Sequence, residues 1–92
     1  MGSMSYSRIA VTLALFKRDW NQIVGPQLGA NSGPTAIDED GTLHLWVATP
    51  AWLTDLSELE SELIARFDAV QLFGLSPDVQ GTPIRRLRLT LQ

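Results

Sequence analysis

The sequence of 92 residues contains no cysteine and only one histidine, and each shortage excludes a class of site. The absence of thiols excludes disulfides, thiolate zinc sites and cysteine nucleophiles, and it favours an intracellular domain that folds without cross-links. His44 alone cannot build a histidine-rich metal site within one chain. The sequence therefore predicts no metal and no cofactor.

Long apolar runs and the signatures of common enzymes are also missing from the sequence. No stretch approaches the roughly 18 apolar residues that a membrane-spanning helix needs. There is no secretion signal, no glycine-rich phosphate loop followed by lysine, and no G-x-S-x-G nucleophile elbow. These absences predict a cytoplasmic protein that is not an enzyme and does not contact membranes.

The length and the hydrophobic content of 45% suit a single small domain, since a second hydrophobic core would not fit. Residues 1–3, which precede a second methionine at Met4, are interpreted as a remnant of an expression tag. Residues 4–92 are interpreted as one domain.

Charges of opposite sign are segregated along the chain, although the formal net charge is only −3. Between Pro34 and Ala65 there is no lysine or arginine, while seven acidic residues fall there. After Asp78 the charged residues are all arginines. This distribution predicts an acidic face and a basic face.

The apolar spacing predicts an α+β domain in which helices cover one face of a three-stranded sheet. Steps of three and four up to Val24 indicate an opening amphipathic helix that Gly25-Pro26 breaks, with a short second helix after the break. Residues 31–34, Asn-Ser-Gly-Pro, predict a loop. The order is helix, short helix, strand, strand, helix, strand, typical of a two-layer fold.

The strands and the second long helix follow from the remaining pattern. Residues 36–37 and 42–48 predict a hairpin that turns at Asp40-Gly41, and its acidic residues are typical of solvated turns. Thr49-Pro50 is a helix start, and one apolar stripe from Trp52 through Leu59 to Phe67 indicates one continuous helix. Alternation over residues 84–91 predicts the last strand.

The predicted strands place an aromatic and basic group of side chains on one face of the sheet. If Leu43, Leu45 and Val47 face the helices, the period of two turns His44 and Trp46 to the opposite face. The same argument turns Arg86 and Arg88 to that face. Such a surface suits single-stranded nucleic acid, because rings stack on bases and guanidinium groups bind phosphates. Alternatively, a second copy of the chain covers Trp46, and the arginines pair with nearby acids.

A second set of residues lies off the main apolar stripes of the helices. Val11 and Leu15 fall opposite the stripe of the first helix, and Leu53 and Ile64 form a flank of the second helix that Glu60 interrupts. They are either margins of the core or docking positions for another protein. Trp20 and Trp52 lie within the stripes and are predicted to be core residues.

Four short motifs, in their order and spacing, carry a likeness to a known family. They are Trp20-x-x-Ile23-Val24-Gly25-x-x-Leu28, Asn31-Ser32-x-Pro34, Asp40-Gly41-Thr42-Leu43 and Thr49-Pro50-Ala51-Trp52. Together they resemble the DciA family, the ATP-independent loaders of the bacterial replicative helicase. The resemblance implies a KH-like α+β domain that binds single-stranded DNA and contacts the helicase without hydrolysing nucleotide. The Gly-x-x-Gly loop of typical KH domains is absent, so the DNA must be held in another way.

The resulting hypothesis assigns two surfaces to the domain. Single-stranded DNA binds through Arg86, Arg88, Trp46 and His44, with Lys17, Arg18 and Arg85 as peripheral phosphate contacts. The replicative helicase contacts the helical side through Val11, Leu15, Leu53, Glu60 and Ile64. Two alternatives stay open, a homodimeric scaffold whose sheet face is the subunit interface and a KH-like domain that binds RNA.

Overall fold

The computed structural model describes residues 3–76 and 78–92, with side chains from residue 8 onward. Met1 and Gly2, which belong to the predicted tag remnant, lie outside the described residues. The elements in chain order are α1 (Ser3–Val24), α2 (Pro26–Asn31), β1 (Ser32–Ile37), β2 (Thr42–Val47), α3 (Pro50–Glu58), α4 (Glu60–Gly74) and β3 (Arg86–Leu91). The predicted α+β fold with a three-stranded sheet is confirmed.

The predicted break after the first helix is found at Gly25. This residue has φ of 92°, a backbone conformation that glycine adopts readily, and Pro26 opens α2 without needing an N–H partner. A further irregularity lies inside α1, where Asp19 leaves helical geometry with φ of −111° and ψ of 19°. The chain therefore changes direction twice before it enters the sheet.

The hairpin is confirmed, but its first strand begins earlier than predicted. β1 starts at Ser32 and includes Gly33 and Pro34, for which the sequence pattern predicts a loop. The reason is position, because β1 is an edge strand and an edge tolerates a residue without an N–H donor. The turn closes when the N–H of Gly41 donates to the carbonyl of Asp38 at 3.0 Å.

The last strand is shorter than predicted and runs parallel to β2, so that the sheet order is β1-β2-β3. It begins at Arg86 instead of Ile84. The N–H of Ile84 donates to the carboxylate of Asp68 at 3.0 Å, and its side chain is buried in the core. Ile84 thus anchors the chain to α4 before the strand starts.

The second long helix is divided in two, which the sequence did not predict. Thr49 caps α3 as expected, since its hydroxyl accepts the N–H of Trp52 at 3.2 Å. Leu59, with φ of −94° and ψ of 7°, separates α3 from α4 and is 36% exposed instead of lying in the stripe. The break places Glu60 beside β3, where its carboxylate accepts the N–H of Leu87 at 2.8 Å.

The core lies between the helices and the face of the sheet that carries Leu43, Leu45 and Val47, all fully buried. Phe67 packs against Phe16 and stacks on Trp20 at a centroid distance of 5.5 Å. The predicted burial of Trp20 is confirmed, whereas Trp52 is half-buried against the core. Among the described residues, no helix has both the length and the apolar character that crossing a membrane requires.

Candidate nucleic-acid interface

The strand register brings the predicted aromatic and basic residues onto one surface, here called the open sheet face. Its members are Ala36, Thr42, His44, Trp46, Arg86, Arg88 and Thr90. His44 is the direct partner of Arg88, and Trp46 is the partner of Thr90 on the same strand. Neighbouring strands lie about 4.8 Å apart, so Trp46 and Arg88 are diagonal neighbours. The helices cover the opposite face, and both arginines are exposed.

Trp46 is held in place by the residue opposite it on β1. Gly33 is its antiparallel partner, and a Cβ at that position would collide with the indole. The missing side chain therefore makes room for the ring, which covers the backbone of Gly33 and leaves that glycine buried. Trp46 itself stays half-buried, so it is neither a core residue nor fully in water.

A cleft of about 510 Å³ extends this surface at the β1 edge of the sheet. Trp46 and Pro34 line one side of the cleft, and residues 17–22 of α1 line the other. Lys17 and Arg18 therefore share a cleft with Trp46, although 28 or more positions separate them in the chain. The structure thus groups these two predicted peripheral cations with the indole.

Acidic residues neutralise part of the positive charge. Asp40 pairs with Arg86 at 3.1 Å, and Asp38 contacts the ring of His44 at 2.8 Å. Both acids belong to the hairpin turn and lie at one end of the open sheet face. The pair of Asp40 and Arg86 is exposed to water, which screens it, so an anion can compete for Arg86.

Three predicted cations, Arg88, Lys17 and Arg85, keep their charge free. Within the part of the chain that the structure describes, none of them forms an ion pair. Arg18 differs, since it binds Asp19 at 3.0 Å. Arg85 is exposed beside the hairpin turn, where its side chain adjoins Gly41. The accessible positive charge is therefore concentrated at Arg88, Arg85 and Lys17.

Two carboxylates of this region are held in the charged form. Hydrogen bonds from Thr42 lower the pKa of Asp40, and Arg86 lowers it further. The hydrogen bond from Arg18 lowers the pKa of Asp19, and the same contact raises the pKa of Arg18. Asp40 and Asp19 thus remain anions at neutral pH, and their charge disfavours another anion beside them.

The residues predicted to dock a partner are divided by the structure. The prediction that Leu15 contacts a partner is wrong, because its side chain is only 3% exposed and packs in the core. Its burial follows from Gly74, which lets the end of α4 approach α1 so closely that a Cβ there would meet Leu15. Leu53 and Ile64 are half-buried at the margin of the core, which agrees with their interpretation as core margins.

Val11 is half-buried on α1, and Glu60 is half-buried with its carboxylate on the backbone of β3. Among the described residues, the two most exposed large apolar side chains were not predicted from the sequence. Leu72 and Phe73, near the end of α4, are 80% and 88% exposed. They lie off the stripe that ends near Val70, and two adjacent apolar residues off a stripe are the signal that could have found them.

The described residues contain no group of three or more histidine, aspartate or glutamate side chains that could hold a metal ion.

Comparison with known proteins finds similar sequences over much of the chain. A sequence profile of the family described as "Dna[CI] antecedent, DciA" matches residues 2–73. The chain is 38% identical over 50 residues to a UPF0232 protein of Mycobacterium ulcerans, covering 54% of this chain and 26% of that protein. It is 30% identical over 71 residues to the UPF0232 protein of Mycobacterium tuberculosis strain H37Rv, covering 77% and 33%. The chain thus spans about a quarter to a third of the length of these relatives.

Proposed function

The chain belongs to the DciA family, whose members have a role connected with DNA replication, and on this premise we propose that it binds single-stranded DNA and helps to load the replicative helicase. It acts in the cytoplasm as an accessory protein without catalytic activity of its own. The observation that carries the proposal is the diagonal pair of Trp46 and Arg88 on the open sheet face.

This pair offers the two contacts that single strands use in proteins without strong sequence preference. A half-buried indole supplies a flat surface for a base, and stacking of this kind contributes about 1–3 kcal/mol per base. Arg88 supplies a guanidinium without a carboxylate partner among the described residues. One nucleotide can therefore stack on Trp46 while a neighbouring phosphate binds Arg88.

The DNA path runs across the strands, from β3 over β2 to the cleft at the β1 edge. The distance from β3 to β1 is roughly 10 Å, two strand spacings. Lys17 lies in the cleft at the far end of this path and binds a second phosphate. Asp38 and Asp40 repel the strand from the hairpin end of the sheet, which confines the path to the end that carries Trp46.

Binding is tested by titrating the protein with fluorescent oligo(dT) and measuring anisotropy at about 50 mM salt, where phosphate contacts are strong. Exchanging Arg88 for glutamate should weaken binding about tenfold, because one phosphate contact is replaced by repulsion. Arg8→Glu is the matched control, since Arg8 is exposed on α1, was not predicted to bind DNA, and the exchange changes the net charge equally. Equal affinity of the two variants would reject this site.

The same titration separates the two alternatives. RNA of the same sequence offers the same phosphates and adds the 2′-hydroxyl, so tighter binding of RNA would favour an RNA-binding domain. Light scattering reports the oligomeric state. A dimer that blocks oligo(dT) binding would favour the scaffold, whose interface is the open sheet face.

The contact with the helicase is proposed on the helical side. Leu72 and Phe73 support this placement, because large apolar side chains exposed side by side are typical of protein contacts. Exchanging Phe73 for aspartate should abolish recovery of the replicative helicase from the native cell by the tagged protein. Ala65→Asp, an exposed position on the same helix, is the control. Helicase recovery that Phe73→Asp leaves unchanged would place the contact elsewhere.

A further inference from the structure

The free edge of β3 has main-chain groups that nothing in the sheet uses. The N–H groups of Arg86 and Gln92 donate to carbonyls at Gly41 and Val47, at 3.4 and 2.8 Å. The main-chain N–H and C=O groups of the even-numbered residues of β3 therefore point toward β2, and those of the odd-numbered residues point away from the sheet. β3 is an edge strand, and among the described residues no side chain or loop carbonyl accepts the N–H of Leu89 or Leu91. Such an edge is a template for another strand.

One end of this edge is closed. The N–H of Leu87 also points away from the sheet, but the carboxylate of Glu60 accepts it at 2.8 Å. Glu60 sits at the start of α4, directly after the break at Leu59, so the fold itself supplies this cap. An added strand can therefore pair with Leu89 and Leu91 and must end where Glu60 stands.

A groove lies beside the open part of the edge. Its volume is about 320 Å³, and it separates α3 from β3. Leu53, Leu56 and Leu89 supply apolar walls, while Arg88 contributes a positive rim. Leu91, just past the groove along the strand, is 48% exposed. A strand laid on this edge would bury apolar side chains in the groove.

We propose that the β3 edge binds an extended peptide in which acidic and apolar residues alternate, and that this peptide adds a fourth strand to the sheet. Alternate side chains of a strand point to opposite faces. The apolar ones enter the groove beside Leu53 and Leu89. The acidic ones lie over the open sheet face, where Arg88 has no ion-pair partner among the described residues.

Charge distinguishes this occupant from a second copy of the chain. The β3 strand of another copy carries Arg86 and Arg88, and no acidic residue follows Asp78. Pairing two such strands adds positive charge to a strand that is already positive, whereas an acidic peptide neutralises it. The peptide shares Arg88 with the proposed DNA path, but its main-chain bonds use the outer edge of β3, which that path does not use. The proposal therefore does not depend on the proposed function.

The first test uses the unmodified protein and a short capped peptide of alternating aspartate and valine. Its addition should shift the amide signals of Leu89 and Leu91 in a ¹⁵N correlation spectrum. N-methylation of the peptide residues whose N–H groups face the protein should weaken binding about tenfold or more, because main-chain hydrogen bonds are lost. No shift at about 1 mM peptide, or equal binding of the methylated peptide, would overturn the proposal.

The second test uses variants of the protein. Leu91→Pro removes an outward N–H and leaves the bonds to β2 intact, so it should reduce peptide affinity about tenfold while circular dichroism stays unchanged. Lys17→Glu, at the opposite edge, should leave peptide binding unchanged and weaken oligo(dT) binding. This contrast separates failure of the peptide site from failure of the DNA site. A concentration-dependent dimer that Leu91→Pro disperses would identify a second copy as the occupant and overturn the peptide.

Discussion

The indole of Trp46 lies over Gly33, its antiparallel partner on β1, at a distance that leaves no room for a Cβ. This contact fixes the aromatic ring at the boundary between the open sheet face and the cleft that contains Lys17. The glycine is thus part of the candidate site, although it carries no side chain to touch DNA.

Exchanging Gly33 for alanine should displace the Trp46 ring. We expect a loss of about 1–3 kcal/mol in the free energy of unfolding, typical of overpacking at a buried contact. Urea denaturation measures the loss, and a shift in tryptophan emission reports the ring movement. Ala36→Val adds volume at an exposed position of the same strand and should change stability by less than about 0.5 kcal/mol. Equal stability of the two variants would show that the ring yields without cost.

A buried polar network holds the segment before β3 against α1. The hydroxyl of Thr12 accepts the N–H of Thr82 at 3.0 Å, and Thr12 is fully buried. Thr12→Val keeps the shape but removes the acceptor, so the free energy of unfolding should fall by about 1–3 kcal/mol. Thr12→Ser retains the hydroxyl, so its free energy of unfolding should fall by less. A larger loss in Thr12→Ser than in Thr12→Val would mean that packing of the methyl group, which serine lacks and valine keeps, matters more than the hydrogen bond.

Acid should weaken the hairpin turn through Asp40. Its pKa in the folded protein is lowered from the ordinary value of 3.8, chiefly by hydrogen bonds from Thr42. The ionised form therefore stabilises the fold above about pH 4, and this stabilisation is lost as the pH falls through the lowered pKa. Asp40→Asn should flatten the dependence of the urea midpoint on pH in this acidic range. A slope identical to that of the unmodified protein would contradict the assignment.

The sequence predicts which residues lie on each face of the strands, and it predicts some of the helix ends. Alternation of Leu43, Leu45 and Val47 with polar or aromatic residues sets the two faces of β2 regardless of what packs against them. No glycine or proline in the sequence indicates the break at Leu59. The break accompanies a tertiary contact, in which the carboxylate of Glu60 accepts a backbone N–H of β3.

The errors at β1 and at Leu15 have a common cause. Glycine and proline in residues 31–34 are turn formers by local preference, but an edge strand accepts them and Trp46 requires the glycine. Leu15 is buried because Gly74 lets two helices approach, and Gly74 lies far away in the sequence. The grouping of Lys17 with Trp46 likewise depends on how α1 packs beside β1. These relationships are tertiary contacts, which local sequence patterns do not predict.

The most direct measurement follows the three tryptophan indole N–H signals in a ¹⁵N correlation spectrum while oligo(dT) of about 12 nucleotides is added. Substitution of Trp46 by phenylalanine assigns its signal. Stacking predicts that the Trp46 signal shifts or broadens strongly, while the signals of buried Trp20 and half-buried Trp52 change little. Saturable DNA binding during which the Trp46 signal stays in place would contradict a site on the open sheet face.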